Sequence, residues 1–410
     1  MKLIVFQSAW SYKTLCDRNL QVFATSKDLG GFFEKVYTVH PASTIEDEVA
    51  SKSRYGKLAI YDHSATHTFI EAKAGRFWKL RSFPFINFIF SQINLIYFLL
   101  KLTRGEKEIF IRAEDPRYNG LLAFFFIHLK RRPLILGCWG NPHTIRNYTR
   151  RPIQPRVFKT TKIEEFFERF LLKRADRVLV QNEDNLNYAV LFGAKKENIR
   201  YFRLGNAIFP GHFEELKQRT VLPSDIDAIG QNGFKICTIS RLEKVKVVDH
   251  ALRAFHAMKN CSESQLYLFG DGSEGDSLKY LAHNLGIENR VHFMGNVDQE
   301  MLARLLPLMD LVLSPLMGRA LTEAALAERP IVAYDIDCHP EIVKNDQSGF
   351  LVPYLDYRAM ALAGDHLLDN PAVAKKMGLE ARAVALDLMD PVKLIREQRL
   401  VFRELLANGN

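Results

Sequence analysis

The stretch from Ser314 to Glu341 constrains the fold more than any other part of the chain. An apolar run ends at residue 313, a turn with Gly318 follows, and a helical pattern begins near Ala320 and precedes a second apolar run. This order predicts a βαβ unit, whose free backbone N–H groups and positive helix end suit a phosphate. Glu323, one turn into the helix, is placed to accept hydrogen bonds from ribose hydroxyls. An ordinary βαβ unit is the alternative for this segment taken alone.

Two cationic residues follow an earlier apolar run, residues 236–239. Arg241 comes directly after this predicted strand, and Lys246 precedes the next helical pattern. Arginine grips phosphate oxygens as a fork and lysine supplies a point charge, so both are candidate phosphate ligands. Lys244 is a second candidate lysine with a less favourable position. A solvated surface cation is the alternative for each of them taken alone.

A glycine-rich turn follows the next apolar run, residues 266–269. Its letters, Gly270-Asp271-Gly272-Ser273-Glu274-Gly275, match the G-x-G-x-x-G pattern of dinucleotide sites. Taken literally, the pattern predicts a nicotinamide enzyme with an acidic residue about twenty residues further on. The following strand ends in Phe293-Met294-Gly295-Asn296 without that acid, which makes this the weaker interpretation.

In order and spacing, these motifs resemble the C-terminal domain of the family 4 glycosyltransferases, which are retaining nucleotide-sugar enzymes of GT-B architecture. The resemblance covers about residues 235–355 and is mainly architectural before residue 200. It implies that Arg241 and Lys246 clamp the diphosphate, that Glu323 binds the ribose, and that the reaction needs no metal, cofactor or enzyme nucleophile. The other donor-binding residues that it implies are Gly270, Asp271 and Gly272, Phe293 and Val297 near the base, and Gly318, Arg319, Ala320, Leu321 and Thr322 at the helix start.

The sequence departs from the family at two positions of this motif. Most members have a second Glu eight residues before the ribose Glu, where it binds hydroxyls of the donor sugar, and this chain has Pro315 there. Arg319 stands where the family often has an apolar residue, and we consider phosphate, an acidic sugar or solvent as its partner. The identity of the donor sugar is therefore left open.

The length of 410 residues predicts two domains. Strands alternate with helices throughout, which favours parallel sheets covered on both faces. We therefore predict an α/β GT-B fold with two Rossmann-like doubly wound domains facing a central cleft. We assign residues 1–205 to an acceptor-binding domain, 206–232 to a linker and 233–390 to a nucleotide-sugar-binding domain. By resemblance, the last helix, 391–410, returns to the first domain.

The same pattern predicts the individual elements. We place strands near 2–6, 34–39, 57–61, 108–112, 133–137, 177–181 and 200–204 in the first half, and near 234–239, 265–269, 290–294, 310–313, 331–334 and 349–352 in the second. Helices are expected at 87–102, 119–130, 163–174 and 183–192, and then at 248–259, 274–285, 298–305, 320–328, 357–369, 371–388 and 391–407.

Charge is divided unevenly along the chain. Residues 1–205 carry 34 Lys and Arg against 19 Asp and Glu, a formal +15, whereas residues 206–410 carry 22 against 28, a formal −6. A basic first half suits an anionic lipid surface, and we find no motif or charge block typical of nucleic-acid binding. Residues 83–100 hold no charge. We favour a buried helix there, then an interfacial one, and least a transmembrane one.

The first half offers weaker candidates. His143 follows a predicted strand end and is a candidate catalytic residue that contacts donor or acceptor; a loop histidine without a role is an equal alternative. Glu114, Asp115 and Arg117 follow another strand end and are candidates for acceptor contact. The five cysteines lack metal-ligand or CxxC spacing, which is typical of reduced thiols in the cytoplasm.

The functional expectation is a retaining glycosyltransferase that moves a sugar from a nucleotide-diphosphate donor to a lipid-linked or saccharide acceptor. By family association, the pathway is bacterial surface polysaccharide assembly, at the cytoplasmic face of the membrane. A GT-B nucleotide-sugar epimerase is one alternative. A catalytically silent GT-B binding scaffold is the other, because Pro315 replaces the sugar-binding Glu.

Overall fold

The computed structural model describes residues 1–17, 24–43, 58–73, 84–106, 108–130, 132–155, 157–218, 221–230 and 233–407. The chain divides into two compact units, Met1–Arg203 with Val392–Asn410, and Leu204–Pro391. The stretch that we predicted as a linker lies in the second unit, where its described residues include helix α7 (Pro223–Ile229) and short 3-10 turns.

The first unit is built on an eight-stranded sheet in the order β3-β4-β2-β1-β5-β6-β7-β8. Its strands are β1 (Lys2–Phe6), β2 (Lys35–Ser43), β3 (Leu58–Asp62), β4 (His67–Lys73), β5 (Ile109–Ala113), β6 (Leu134–Cys138), β7 (Arg177–Val180) and β8 (Ile199–Tyr201). Its helices are α1 (Tyr12–Asp17), α2 (Pro84–Leu102), α3 (Tyr118–Lys130), α4 (Pro142–Thr149), α5 (Thr161–Leu172), α6 (Glu183–Leu191) and the C-terminal α15 (Pro391–Ala407). The pairing is parallel except between β3 and β4.

The sequence prediction missed strand β4 and its antiparallel pairing with β3. This strand mixes polar with apolar residues, and the side chains of His67, Thr68 and Glu71 are buried. Glu71 accepts hydrogen bonds from the backbone N–H of Tyr12 at 2.5 Å and from Oγ of Ser43 at 2.8 Å. Because a buried parallel strand normally reads as an apolar run, a strand whose polar groups are satisfied inside the unit gives no such signal.

The pleat of β5 divides the core of the first unit into two sides. Ile109 and Ile111 belong to the large cluster that also contains Leu95 of α2, Phe126 of α3 and Leu171 of α5. Phe110, between the two isoleucines, faces the other way and packs against Phe402 of the C-terminal helix. Helices α2, α3 and α5 therefore share one apolar core with the sheet.

The C-terminal helix α15 belongs to the first unit. The ring of Phe402 lies edge-on to Phe110 at 5.2 Å and to Phe33 at 5.0 Å between centroids. Arg399 donates from Nε to the carbonyl oxygen of Leu29 at 2.9 Å. Apolar packing and a charged hydrogen bond thus hold the helix to this unit.

The second unit contains a six-stranded parallel sheet in the order β11-β10-β9-β12-β13-β14. Its strands are β9 (Phe234–Ile239), β10 (Ser264–Phe269), β11 (Val291–Gly295), β12 (Leu311–Ser314), β13 (Ile331–Tyr334) and β14 (Phe350–Val352). Besides α7, its helices are α8 (Val248–Ala257), α9 (Gly275–Asn284), α10 (Gln299–Leu305), α11 (Arg319–Leu326), α12 (His339–Ile342), α13 (Tyr357–Asp369) and α14 (Pro371–Met389). All six predicted strands are confirmed, with ends within one residue.

Successive residues of β9 face opposite cores. Ile236 packs with Leu252 of α8 and Leu367 of α13. Cys237 packs with Leu305 of α10 and Ala325 of α11. Both faces of the sheet are therefore covered by helices, which is the doubly wound arrangement expected of a parallel sheet.

The uncharged segment around residues 83–100 forms helix α2. Leu95, Phe98 and Leu99 lie on its buried side. Among the helices of the described residues, none has both the length and the hydropathy needed to cross a membrane. Among the polar residues of this helix, Ser91 is buried and Asn94 is half-buried.

Candidate functional site

The candidate residues of the second unit follow strands that are neighbours in its sheet. Strands β9, β12 and β13 lie side by side and are parallel. Their carboxyl ends therefore lie at one edge, which is where open α/β sheets bind ligands. The charge of Asp337, after β13, acts on Lys246, after β9, as expected of loops that meet at this edge.

Arg241 and Lys246 place two positive charges close together. Arg241 is exposed and Lys246 is half-buried. Burial lowers the pKa of Lys246, the nearby charge of Arg241 lowers it further, and Asp337 opposes both. In the described part of the chain, neither cationic side chain makes a hydrogen bond or an ion pair. Two like charges without a bonded counterion favour binding of an anion.

The Gly270–Gly272 turn supports the loop that carries Arg241. The backbone N–H of Leu242 donates to the carbonyl oxygen of Asp271 at 3.1 Å, and that of Glu274 donates to the carbonyl of Leu242 at 2.8 Å. Gly270 has φ +135°, and a Cβ there would lie 1.9 Å from the carbonyl oxygen of Ser240.

A Cβ at Gly272 would lie 2.4 Å from the carbonyl oxygen of Leu242. These two glycines are therefore required for close packing of two backbone segments. This accounts for the first part of the G-x-G-x-x-G pattern without a dinucleotide.

Helix α11 presents its N-terminus at the same edge. Gly318 is its N-cap residue, and no side chain caps the helix. The first-turn N–H groups of Arg319 and Ala320 are thus available to a ligand. The side chains of Leu321 and Thr322 are buried in the core, and the N–H of Leu321 donates to the carbonyl oxygen of Gly318 at 3.0 Å.

Glu323 is buried beneath this helix start and pairs with Arg319. Only 1% of its surface is exposed. Burial raises its pKa, and Arg319 opposes this by donating from Nε to Oε1 at 3.0 Å. The sequence analysis considered phosphate, an acidic sugar or solvent for Arg319. The structure instead gives it Glu323, a partner whose i,i+4 spacing on a helix was the available signal.

His339 was not among the predicted site residues. It is completely buried. Its Nδ1 lies 2.8 Å from the carbonyl oxygen of Tyr334, and its Nε2 lies 3.2 Å from that of Met317. It therefore connects the loop after β13 to the turn before α11. Pro315 in that turn is buried, and its ring offers no hydrogen bond to a sugar hydroxyl.

Phe293 and Val297 lie at the end of β11, on opposite sides of the sheet. Phe293 packs on one core and Val297 on the other. Nζ of Lys279 lies 5.8 Å from the centre of the Phe293 ring. Gly295, between them, accepts a hydrogen bond from the N–H of Gly270 at 2.8 Å. The backbone between the two side chains is thus held next to the glycine turn.

In the first unit, His143 lies in the first turn of α4. Its ring centre is 5.8 Å from that of Phe192. Its Nδ1 is buried and has no hydrogen-bond partner among the described residues. The helix begins where Asn141 accepts from the N–H of Thr144, with Pro142 at its first position. His143 thus keeps a free polar atom near the carboxyl end of β6.

Glu114, after β5, is surrounded by donors. Nη2 of Arg112 donates to it at 2.8 Å, Nε1 of Trp139 also donates to it, and Nζ of Lys27 lies 3.7 Å away. Burial alone would raise the pKa of Glu114, but the charges of Arg112 and Lys27 lower it overall. Burial lowers the pKa of Lys27 to about 8.

Asp115 and Arg117 belong to a buried ionic network rather than to an open surface. Arg117 lies 3.7 Å from Asp115 and 3.3 Å from Glu168. Glu168 in turn pairs with Arg146 at 2.7 Å. These groups satisfy one another inside the unit. Their position after a strand is therefore explained without contact to an acceptor substrate.

The described residues contain no group of His, Cys, Asp and Glu side chains arranged to hold a metal ion. A reaction without metal or cofactor stays a prediction from the family resemblance.

The model of the family described as Glycosyl transferases group 1 matches residues 224–384. Over 174 residues, the chain is 28% identical to N-acetyl-alpha-D-glucosaminyl L-malate synthase of Bacillus anthracis, which covers 42% of this chain and 45% of that protein. Over 183 residues, it is 33% identical to an exopolysaccharide phosphotransferase of Streptomyces coelicolor, which covers 43% of this chain and 19% of that protein. The matches thus span less than half of the length of these curated relatives.

Among solved structures, the chain is similar to Anabaena HepE in complex with UDP and glucose. The TM-score is 0.70 at 18% identity, and the alignment covers 100% of both chains. With the two doubly wound parallel-sheet units described above, this likeness confirms the predicted GT-B fold class.

Proposed function

We propose that this chain, whose residues 224–384 match the group 1 glycosyltransferase model, transfers a sugar from a nucleotide-diphosphate donor to a lipid-linked or saccharide acceptor, with retention at the anomeric carbon. The observation that carries the proposal is that Arg241 and Lys246, two neighbouring cations without an ion-pair partner among the described residues, lie at the sheet edge where α11 begins. A leaving diphosphate gains negative charge as the sugar departs, and preorganised cations stabilise that charge.

The donor half of the reaction follows from the second unit. The fork of Arg241 and the point charge of Lys246 bind the diphosphate oxygens, and the N–H groups at the start of α11 bind the phosphate next to the sugar. A bound diphosphate also restores the pKa of Lys246, because an anion favours the charged form.

Glu323 binds the ribose hydroxyls in this proposal. A carboxylate must be ionised to accept two hydrogen bonds, whereas burial favours its protonated form. Arg319 therefore acts as a positioning residue, because its charge keeps Glu323 ionised and its hydrogen bond fixes the orientation of the carboxylate.

Retention rests on the resemblance to family 4 enzymes. The departing phosphate would take the proton of the acceptor hydroxyl on the same face of the sugar. The acceptor class draws on the exopolysaccharide phosphotransferase among the relatives and on the basic charge of the first unit. We place the reaction at the cytoplasmic face of a membrane, in surface polysaccharide assembly.

A panel of nucleotide sugars tests the proposal, with UDP-glucose first because HepE was solved with UDP and glucose. The purified chain is incubated with each donor and with extracted glycolipid or oligosaccharide acceptors. We expect acceptor-dependent release of the nucleoside diphosphate, and a product whose anomeric configuration by NMR equals that of the donor. An inverted product would overturn the retaining mechanism. Donor conversion without acceptor would instead indicate the epimerase.

A binding protein without transfer activity is the second candidate, favoured by Pro315 in place of the sugar-binding Glu. This candidate function predicts that calorimetry detects binding of the nucleoside diphosphate while no donor of the panel is consumed. Pro315→Glu is a useful variant in that case, because it restores the family residue and would gain donor turnover only if the site is otherwise complete.

A further inference from the structure

Helix α2 carries a stripe of large apolar side chains on its outer side. Five of them are between 41 and 57% exposed, and they recur at the spacing of one helix face. The stripe consists of Ile86, Ile89, Phe90, Ile93 and Tyr97. The opposite side of the helix packs on the sheet through Leu95 and Leu99. The helix thus has two apolar sides, and in the part of the chain that the structure describes, one of them packs on the sheet while the other is largely exposed.

Three more exposed apolar side chains lie on neighbouring helices of the same unit. Phe125 and Leu129 on α3 and Phe166 on α5 are 61–63% exposed. The helices are adjacent, because the rings of Phe88 and Tyr118 lie 5.6 Å apart and those of Phe124 and Phe170 lie 5.2 Å apart. We call the stripe together with these three side chains the apolar face. An apolar surface of this extent indicates an interaction site.

The charged residues of α2 and α3 have one sign, whereas α5 also carries Glu165, which is partly exposed. Helices α2 and α3 contain no Asp or Glu, and their charged residues are Lys101 and Lys130. Nζ of Lys101 lies 5.9 Å from the centre of the Tyr97 ring, and Arg104 is exposed just beyond the helix end. The unit as a whole carries 38 Lys and Arg against 21 Asp and Glu, a formal +17.

We propose that the apolar face is a membrane-docking surface that inserts into the headgroup region of an anionic bilayer. Aliphatic and aromatic side chains bordered by cations suit such an interface, since the apolar parts enter the acyl boundary while lysine and arginine reach the phosphates. A protein interface normally intersperses hydrogen-bonding groups with its apolar residues, and this face has few. Helix α2 would lie along the bilayer rather than cross it, because its other side is buried in the core.

The inference deepens the proposed function, since a docked first unit would meet a lipid-linked acceptor at the surface that holds it. Its test does not depend on turnover. The full chain is sedimented with vesicles of phosphatidylglycerol and phosphatidylcholine, and separately with phosphatidylcholine alone. We expect binding to the anionic vesicles, weakened by raised salt because screening reduces the attraction, and little binding to the neutral ones.

The variant Ile93→Gln/Phe125→Gln removes apolar groups without disturbing the core, because both side chains are exposed. We expect roughly tenfold weaker vesicle binding or more. The matched control is Tyr280→Gln/Leu362→Gln, which removes two side chains that are 69 and 72% exposed in the second unit and should leave binding unchanged. Far-UV spectra and melting should be the same for both.

The charge variant Lys101→Glu/Arg104→Glu should weaken anionic vesicle binding by roughly tenfold or more. Its matched control is Lys375→Glu/Lys376→Glu, on the exposed side of α14. Insertion itself is detected with Ile93→Trp, whose added indole should shift its emission to shorter wavelength with vesicles and be quenched by brominated acyl chains. Quenching should not occur with Tyr280→Trp.

Equal binding by both apolar double variants would overturn the proposal. The proposal would also be overturned if the wild-type chain did not bind vesicles and formed a dimer in solution while Ile93→Gln/Phe125→Gln was monomeric. The face would then be a protein interface. Calorimetry with UDP runs in parallel. A chain that binds UDP but not vesicles disproves the docking surface alone, and one that binds vesicles but no nucleoside diphosphate disproves the proposed function alone.

Discussion

The two units have similar sheets but very different outer surfaces. The first unit carries a formal +17 and the second a formal −8, from 18 Lys and Arg against 26 Asp and Glu. In the first unit, the neighbouring helices α2, α3 and α5 carry the exposed side chains of the apolar face. In the second unit, the most exposed apolar side chains stand singly on different helices, Tyr280 on α9 and Leu362 on α13 among them.

The difference indicates a division of tasks. In the second unit, the unusual features are at the sheet edge, where burial and the charge of Arg241 lower the pKa of Lys246 and burial raises the pKa of Glu323. In the first unit, the unusual feature is on the outer surface of the helices. We therefore expect substitutions in the second unit to affect the donor, and substitutions on the apolar face to affect attachment.

The largest expected effect tests this division at the diphosphate site. Arg241→Ala and Lys246→Ala should each lose about 2–4 kcal/mol of transition-state stabilisation, because each removes a cation from the leaving diphosphate. Turnover of the donor, once identified, measures this. Melting and vesicle binding should hardly change.

Lys244→Ala is the control, since Lys244 is exposed on the same turn. If Lys244→Ala lost turnover while Lys246→Ala kept it, the diphosphate lysine would be the other one. Full turnover of both Arg241→Ala and Lys246→Ala would remove the diphosphate site from this edge altogether.

A smaller effect is expected at the ribose ligand. Glu323→Gln should weaken nucleoside diphosphate binding by about 1.5–3 kcal/mol, because charged hydrogen bonds to the ribose are lost. Calorimetry measures this, with Glu380→Gln on the exposed side of α14 as the control. Unchanged affinity would mean that Glu323 serves only the helix dipole and Arg319.

The six strands of the second unit could be predicted from the sequence, whereas α7 and α12 could not. Runs such as residues 236–239 and 331–334 are buried on both faces, so their apolar letters mark them directly. In the first unit, β4 contains buried polar residues such as Glu71, so it lacks the apolar run that marks a buried strand. Helix α4 is short. The Asn141-Pro142 start of α4 was a usable signal of an N-terminus.

The sequence places the candidate residues after their strands, and their roles stay predictions, but it does not reveal their pairings. Spacing after strands is enough to bring Arg241, Lys246 and Glu323 to one edge. It does not reveal that Arg319 pairs with Glu323, or that His339 connects two loops across 22 residues. Such contacts depend on side-chain direction and on turns that are not regular elements, so they have no period in the sequence.

The pairing of Arg319 with Glu323 predicts a change in pH dependence. Without the guanidinium, burial should raise the pKa of Glu323 further, and the neutral acid accepts fewer hydrogen bonds. Nucleoside diphosphate affinity of Arg319→Leu should therefore fall as pH is lowered, beginning at a higher pH than in the wild type, and recover as pH rises. Arg319→Lys keeps the charge, so its affinity should begin to fall at a pH between those of the wild type and Arg319→Leu.

Calorimetry from about pH 5 to about pH 8 measures this shift, and the wild type corrects for titration of the nucleotide itself. Curves of Arg319→Leu and wild type that run parallel over the whole range would show that Arg319 does not control the ionisation of Glu323. A uniform loss of affinity would instead assign Arg319 to the phosphate.

The smallest expected effect concerns Gly275, the third glycine of the G-x-G-x-x-G pattern. Gly275 begins α9, and a Cβ there would meet Cδ1 of Leu242 at 3.9 Å, an ordinary contact. Gly275→Ala should therefore change the free energy of unfolding by less than about 1 kcal/mol and leave nucleoside diphosphate binding intact. In a dinucleotide site, the third glycine is required for close packing of helix and strand, so Ala would be damaging. Urea unfolding and calorimetry measure both quantities. A large loss would mean that this loop binds its ligand as a dinucleotide site does, and that the donor edge of the second unit was assigned to the wrong chemistry.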